Sequence, residues 1–136
     1  RGAVAHPDAQ GDASMLISVD DAKRIRAIGG TLGLSVGSPW VVSPDDLAAQ
    51  VRFLATIPFQ GREGMEGISI ATDFLGQVEP LQAFRNVESI IRWTGRTFDK
   101  PTARALIFEN AKSLFGEESR EALVPAIPRT DGTERN

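Results

Sequence analysis

The sequence predicts an α/β protein in which short apolar strands run parallel and helices cover them. Three observations carry that expectation. Residues 31–36 and 67–72 are short apolar segments bounded by glycine, and neither reads as the strict polar–apolar alternation of a strand with one wet face. Between them lies a helical pattern long enough to serve as the crossover that parallel strands require. The whole order reads strand, helix, strand, helix, strand, helix, helix, which is the grammar of a parallel sheet.

Each element has its own signals. Ala3, Val4 and Ala5 form a short small-apolar run that ends at His6-Pro7, a brief strand feeding a polar loop. Ser18 stands three residues before Asp21, a capping-box spacing with Asp in place of Glu, and Ala22, Ile25 and Ile28 recur at helical spacing before Gly29-Gly30, so a helix is expected over 18–28. The segment 31–36 between Gly30 and Gly37 is the first well-marked strand. Ser43-Pro44-Asp45-Asp46 then offers an N-cap, a proline at the first helical position and acids in the first turn, and Leu47, Val51 and Leu54 make one apolar face that stops near Pro58.

A polar loop over 60–66, with Gly61 and Gly64, leads into the strand 67–72, which runs out into Asp73-Phe74-Leu75-Gly76. Two further helices are expected, over 80–94 on Leu81, Phe84, Val87 and Ile91, and over 100–114 on Ala103, Leu106, Ile107 and Leu114, with Gly95 and Gly116 as their stops. Phe84, Ile91, Trp93, Phe108 and Phe115 are spaced as core residues of these helices. Residues 1–116 form the expected domain, and 117–136 read as a partly disordered tail.

A chain of 136 residues with 41% hydrophobic residues can bury one core, and with a net charge of −3 it lacks the basic field that a phosphate backbone attracts. Nucleic acid is not an expected partner. No apolar run approaches the roughly 18 residues of a membrane span, and no signal-peptide pattern stands at the start, so no direct membrane span is expected. The absence of cysteine excludes disulfides, thiolate zinc sites and a cysteine nucleophile, and leaves the compartment open.

Some local patterns invite chemistry and are better read otherwise. Gly33-Leu34-Ser35-Val36-Gly37 formally fits the nucleophile elbow, but that motif needs a later histidine, and the single histidine, His6, precedes it. Glu63 and Glu66 read as solvated loop charges. Trp40 and Phe59, each beside a proline, read as residues sealing the rim of the sheet.

At residues 67–76, Gly-Ile-Ser-Ile-Ala-Thr-Asp-Phe-Leu-Gly, the sequence resembles the last barrel strand of the membrane (renal) dipeptidase family, with Leu75 where that family has a second aspartate. The Ser-Pro-Asp-Asp helix start, the double glycine before 31–36, and Glu109-Asn110-Ala111 in the last helix are similar to the family in placement. The last helix is equally similar to that of the broader metal-dependent amidohydrolases.

What the resemblance implies is the C-terminal half of a (β/α)₈ TIM-barrel, too short to be a whole barrel of about 250 residues. By the same resemblance the chain is part of a metal-dependent hydrolase of dipeptides or related amides. Asp73 matches the active-site aspartate, with a catalytic and metal-site role, and His6 falls where the family keeps a metal-ligating histidine. Zinc is the implied metal. The family's substrate-gripping Arg-Asn would fall near Met15-Leu16 and is missing, and its remaining ligands belong to earlier strands. A second polypeptide that completes the barrel, or a larger complex, is therefore the expected partner. The alternative expectation is a catalytically inactive, barrel-derived structural subunit.

Overall fold

A computed structural model describes residues 17–38, 40–72 and 79–115. The protein combines helices with a small parallel sheet, as α/β patterning requires. In chain order the elements are α1 (Val19–Ala27), β1 (Leu32–Ser35), β2 (Gly37–Ser38), α2 (Pro44–Ala55), β3 (Ile68–Ala71), β4 (Glu79–Pro80), α3 (Val87–Thr97), α4 (Lys100–Arg104) and α5 (Asn110–Phe115). A single 3₁₀ turn (Gln82–Phe84) precedes α3, and a π-type segment (Ala105–Glu109) joins α4 to α5.

β1 and β3 pair in parallel, Leu32 opposite Ile68 and Ser35 opposite Ala71, with α2 in the connection between them. This is the expected crossover unit. Alternation along the two strands puts Leu32, Leu34, Ile68 and Ile70 on one face, where they join Ala22 of α1 and Leu47, Val51 and Leu54 of α2 in the apolar core. The opposite face carries Gly33, Ser35, Ser69 and Ala71.

Local chemistry explains the helix ends. The Ser18 hydroxyl accepts from the Asp21 amide at 3.1 Å, and the Ser43 hydroxyl accepts from the Asp46 amide at the same distance, so both predicted N-caps form. At the end of α1, Gly29 takes φ 82°, the Gly30 amide reaches Ile25 O at 2.8 Å and the Gly29 amide reaches Arg26 O at 3.1 Å. That pair of bonds satisfies the last carbonyls of α1 and turns the chain into β1.

The turn before β3 is equally constrained. Gly67 has φ 68°, and a side chain there would collide with the Phe59 ring and with Gly30 O. Phe59 therefore packs at the start of β3, below Arg26, whose guanidinium lies 5.6 Å from the ring centre.

The C-terminal helices depart most from expectation. The region 80–94 is not one helix: β4 and the 3₁₀ turn come first, and α3 starts only after Asn86, which forms a full capping box with Ser89. Shifting the start rotates the face. Ile90, Trp93 and Thr94 turn inward, while Val87 and Ile91 are exposed. Trp93 lies edge-on between Phe84 and Phe98, at 5.0 and 5.8 Å between ring centres.

Gly95 does not stop α3, which continues to Thr97 and ends where Phe98 turns extended. Phe108 and Leu114 are exposed rather than core, because the wide turn over Ala105–Glu109 offsets the second half of the helix from the first. Ile28 is exposed as well, since it lies beyond the last turn of α1. The Phe115 side chain and the tail from 116 onward lie outside the described residues.

Asp99 caps α4, accepting from the Thr102 amide at 2.9 Å, and its hydrogen bonds with Thr102 hold the carboxyl below its ordinary value. A depressed carboxylate stabilises above the ordinary carboxylate range, and that contribution disappears as pH falls through the folded value. Asp99→Ala should therefore lower the melting temperature at neutral pH, and thermal melts taken between pH 7 and pH 3 should show the gap to the unaltered chain closing, with most of the loss below about pH 4. A gap that stays constant to pH 3 would contradict the capping role.

Candidate functional site

In open parallel sheets and barrels alike, chemistry gathers where strands end at their carboxyl side, because that is where loops converge on fixed backbone. Here that end is defined by Ser35 and Ala71, the paired last residues of β1 and β3. Just beyond, β2 and β4 pair antiparallel, Gly37 with Pro80 and Ser38 with Glu79, and the Leu81 amide reaches Val36 O at 3.5 Å.

The consequence concerns the segment that starts with Asp73. On one side of it Ala71 pairs with Ser35 at the carboxyl end of β1, and on the other Glu79 pairs with Ser38, three residues beyond Ser35. The residues 73–78 themselves, Asp73 among them, lie outside the described residues, and so does His6. The antiparallel clasp is a tertiary feature with no strong sequence signal, since two residues are too few to show a period.

The other acids stay apart. Glu63 and Glu66 are exposed, and the main-chain carbonyl of Glu66, rather than its carboxylate, is engaged, accepting from Arg26 at 2.6 Å. Among the described residues no group of three His, Cys, Asp or Glu could hold a metal ion. With one histidine and no cysteine in the whole chain, the donor set of a binuclear zinc centre is not met by this chain alone.

Ser35 does not form an elbow. It sits within the β1 ladder, and a second short strand, not a helix, follows it.

Two groups that sequence reasoning missed hold the region in place. Arg26 is fully buried, and its guanidinium donates to three carbonyls, Ile57 at 2.7 Å, Glu66 at 2.6 Å and Gly64 at 2.8 Å. Burial lowers its pKa from the ordinary value, and the nearby Glu66 charge opposes that shift. Asn110, at the start of α5, donates to Met65 O at 2.6 Å and Ile68 O at 2.7 Å, and so fixes the turn into β3. The signal for Asn110 was its place in the last helix, but nothing local said what it would touch.

A third feature is the pair of hydroxyls on the face opposite the core. Ser35 and Ser69 are buried, and neither hydroxyl has a hydrogen-bond partner among the described residues. Compared with protein-family models, with curated proteins and with solved structures, the chain gives no match. Among the described residues no helix is long and apolar enough to cross a membrane.

Proposed function

We propose that this chain is the C-terminal part of a (β/α)₈-type, metal-dependent hydrolase acting on dipeptides or related amides, with strands from outside this sequence completing its site. The observation that supports the reading is the parallel β1–β3 pair joined through α2, with Ala71 paired to the end of β1 shortly before Asp73 in the chain. It is joined by the resemblance of residues 67–76 to a dipeptidase strand.

In this reading Asp73 accepts the proton of the attacking water, which suits a carboxylate placed where a strand ends. His6 supplies one metal-ligating nitrogen, and the remaining ligands come from the completing strands. Zinc, when bound, would lower the pKa of that water and polarise the scissile carbonyl. The chain's own contribution is to hold the carboxylate: α2 and the core face set the sheet, and Asn110 sets the start of β3.

A second reading, a barrel-derived subunit without catalysis, is favoured by Leu75 in place of the family's second aspartate and by the missing Arg-Asn near Met15-Leu16. One experiment separates them: native mass spectrometry and elemental analysis of the protein as isolated from its source, followed by a dipeptide hydrolysis assay. The enzyme reading expects about two zinc ions per assembly, a second polypeptide of barrel-completing size, and hydrolysis that Asp73→Asn lowers by about 10²-fold or more without changing the native mass. A metal-free assembly that hydrolyses no dipeptide would overturn it and leave the subunit reading.

A further inference from the structure

The helices α1 and α2 lie on the same face of the sheet. Ala22 of α1 and Leu47, Val51 and Leu54 of α2 share the apolar core with Leu32, Leu34 and Ile68, and Arg26 of α1 donates to Ile57 O, just beyond α2, at 2.7 Å. A unit of strand, helix and parallel strand is right-handed in about 98% of cases. With α2 on that face, β1, α2 and β3 set the direction in which successive strands advance. A strand that feeds α1 on the same face then lies beside β1, on the side away from β3.

That side of β1 offers main-chain bonds. The Leu32 amide reaches Gly67 O at 2.8 Å, so alternation turns the amides and carbonyls of Leu32 and Leu34 toward β3 and those of Gly33 and Ser35 away from it. Ser35 is fully buried, and more than nine in ten buried main-chain groups are hydrogen-bonded. The outer edge of β3 is engaged differently. There Ile68 O accepts from the Asn110 side chain at 2.7 Å, and the Ile68 amide reaches Met65 O at 3.3 Å.

We infer that residues 3–5 of this chain occupy the outer edge of β1 as a third parallel strand. Their alternation fits both faces of the sheet. Val4 matches the core face of Leu32, Leu34 and Ile68, and Ala3 and Ala5 match the small face of Gly33, Ser35, Ser69 and Ala71. With Ala3 opposite Gly33 and Ala5 opposite Ser35, Val4 turns its main chain toward β1: its carbonyl accepts from the Ser35 amide and its amide donates to Gly33 O.

Residues 6–18 reach up to about 40 Å when extended, ample to return the chain to the start of α1. The nearer apolar run, Met15–Ile17, is not the occupant, since Ile17 is among the described residues and does not pair with β1. Pairing of residues 3–5 brings His6 to the carboxyl end of the sheet, the end at which β3 runs on toward Asp73. For the hydrolase reading this means that the chain itself delivers its histidine there.

The test is amide hydrogen exchange by nuclear magnetic resonance on the full chain and on Val4→Pro, which lacks the Val4 donor. The Ser35 amide is expected to exchange at least about 10-fold faster in the variant, while the Leu34 amide, which faces β3 inside the ladder, keeps its rate. Val4→Asp, which sets a charge against the core face, should have the same effect. Unchanged Ser35 exchange in both variants overturns the third strand.

If a variant fails to fold, the unaltered chain decides through nuclear Overhauser contacts. Contacts from Val4 and Ala5 to Gly33, Leu34 and Ser35 are expected within one molecule. Their absence overturns the pairing, as do contacts that come instead from Met15–Ile17 or that arise only between differently labelled copies. No metal and no hydrolysis enter the measurement, so a failed hydrolase reading leaves its outcome standing.

Discussion

Arg26→Met is expected to lower the unfolding free energy by about 3–5 kcal/mol, because it removes the donor to three main-chain carbonyls in a buried setting. Those carbonyls belong to Ile57, Gly64 and Glu66, so one side chain on α1 organises the whole loop between α2 and β3. Methionine keeps most of the volume, so the loss reports hydrogen bonding rather than a cavity. Lysine keeps the charge but offers a point donor in place of a planar fork, and Arg26→Lys should therefore recover only part of the loss.

Urea titration followed by far-ultraviolet circular dichroism measures both variants. A loss below about 1 kcal/mol for methionine, the worth of a single ordinary hydrogen bond, would mean that water replaces the guanidinium at the carbonyls. Against a total stability of about 5–15 kcal/mol, the expected loss is a large share of what holds the fold.

The second large effect is at Asn110. Asn110→Asp preserves shape but removes the amide that donates to Met65 O and Ile68 O, and it places a carboxylate against two carbonyls. A loss of about 2–4 kcal/mol is expected from two orphaned acceptors and the buried charge. Asn110→Ala should cost less than Asn110→Asp, since it leaves the acceptors unpaired without adding charge.

Hydrogen exchange provides a local readout. The Ser69 and Ala71 amides point into the parallel ladder, and both should lose protection in Asn110→Asp if the asparagine fixes the start of β3. Unchanged protection at those amides, with stability lost elsewhere, would mean that Asn110 serves only the packing of α5.

Both effects show why parts of this protein were legible and others were not. The helix α2 was readable in full, because Ser43, Pro44, Asp46 and the Leu47–Val51–Leu54 stripe act on their own neighbours within one or two turns. The end of α1 was readable for the same reason, Gly29 and Gly30 bonding back only to Arg26 and Ile25. Local energies settle such features, whatever the rest of the chain does.

The failures lie where a residue's partner is distant. Nothing in the local pattern of α1 singles out Arg26, because its partners are 31 to 40 residues further along the chain. The apolar spacing of Leu81, Phe84, Val87 and Ile91 suggested one helix, yet the pairing of Glu79 and Pro80 with the end of β1 took the first residues away from it. The start of α3 then moved to the Asn86 cap, which rotated Val87 and Ile91 outward.

The candidate site divides along the same line. Sequence alone determined two short apolar strands with a helix between them, the acid that follows the second strand, and a donor set too poor for a complete zinc centre. Tertiary structure decided that the strands pair in parallel, that β4, just after the Asp73 segment, pairs with β2, and that the Ser35 and Ser69 hydroxyls are buried without a hydrogen-bond partner among the described residues. The physical reason is range: caps and apolar periods act over a few residues, whereas strand register and the satisfaction of buried polar groups depend on residues that only folding brings together.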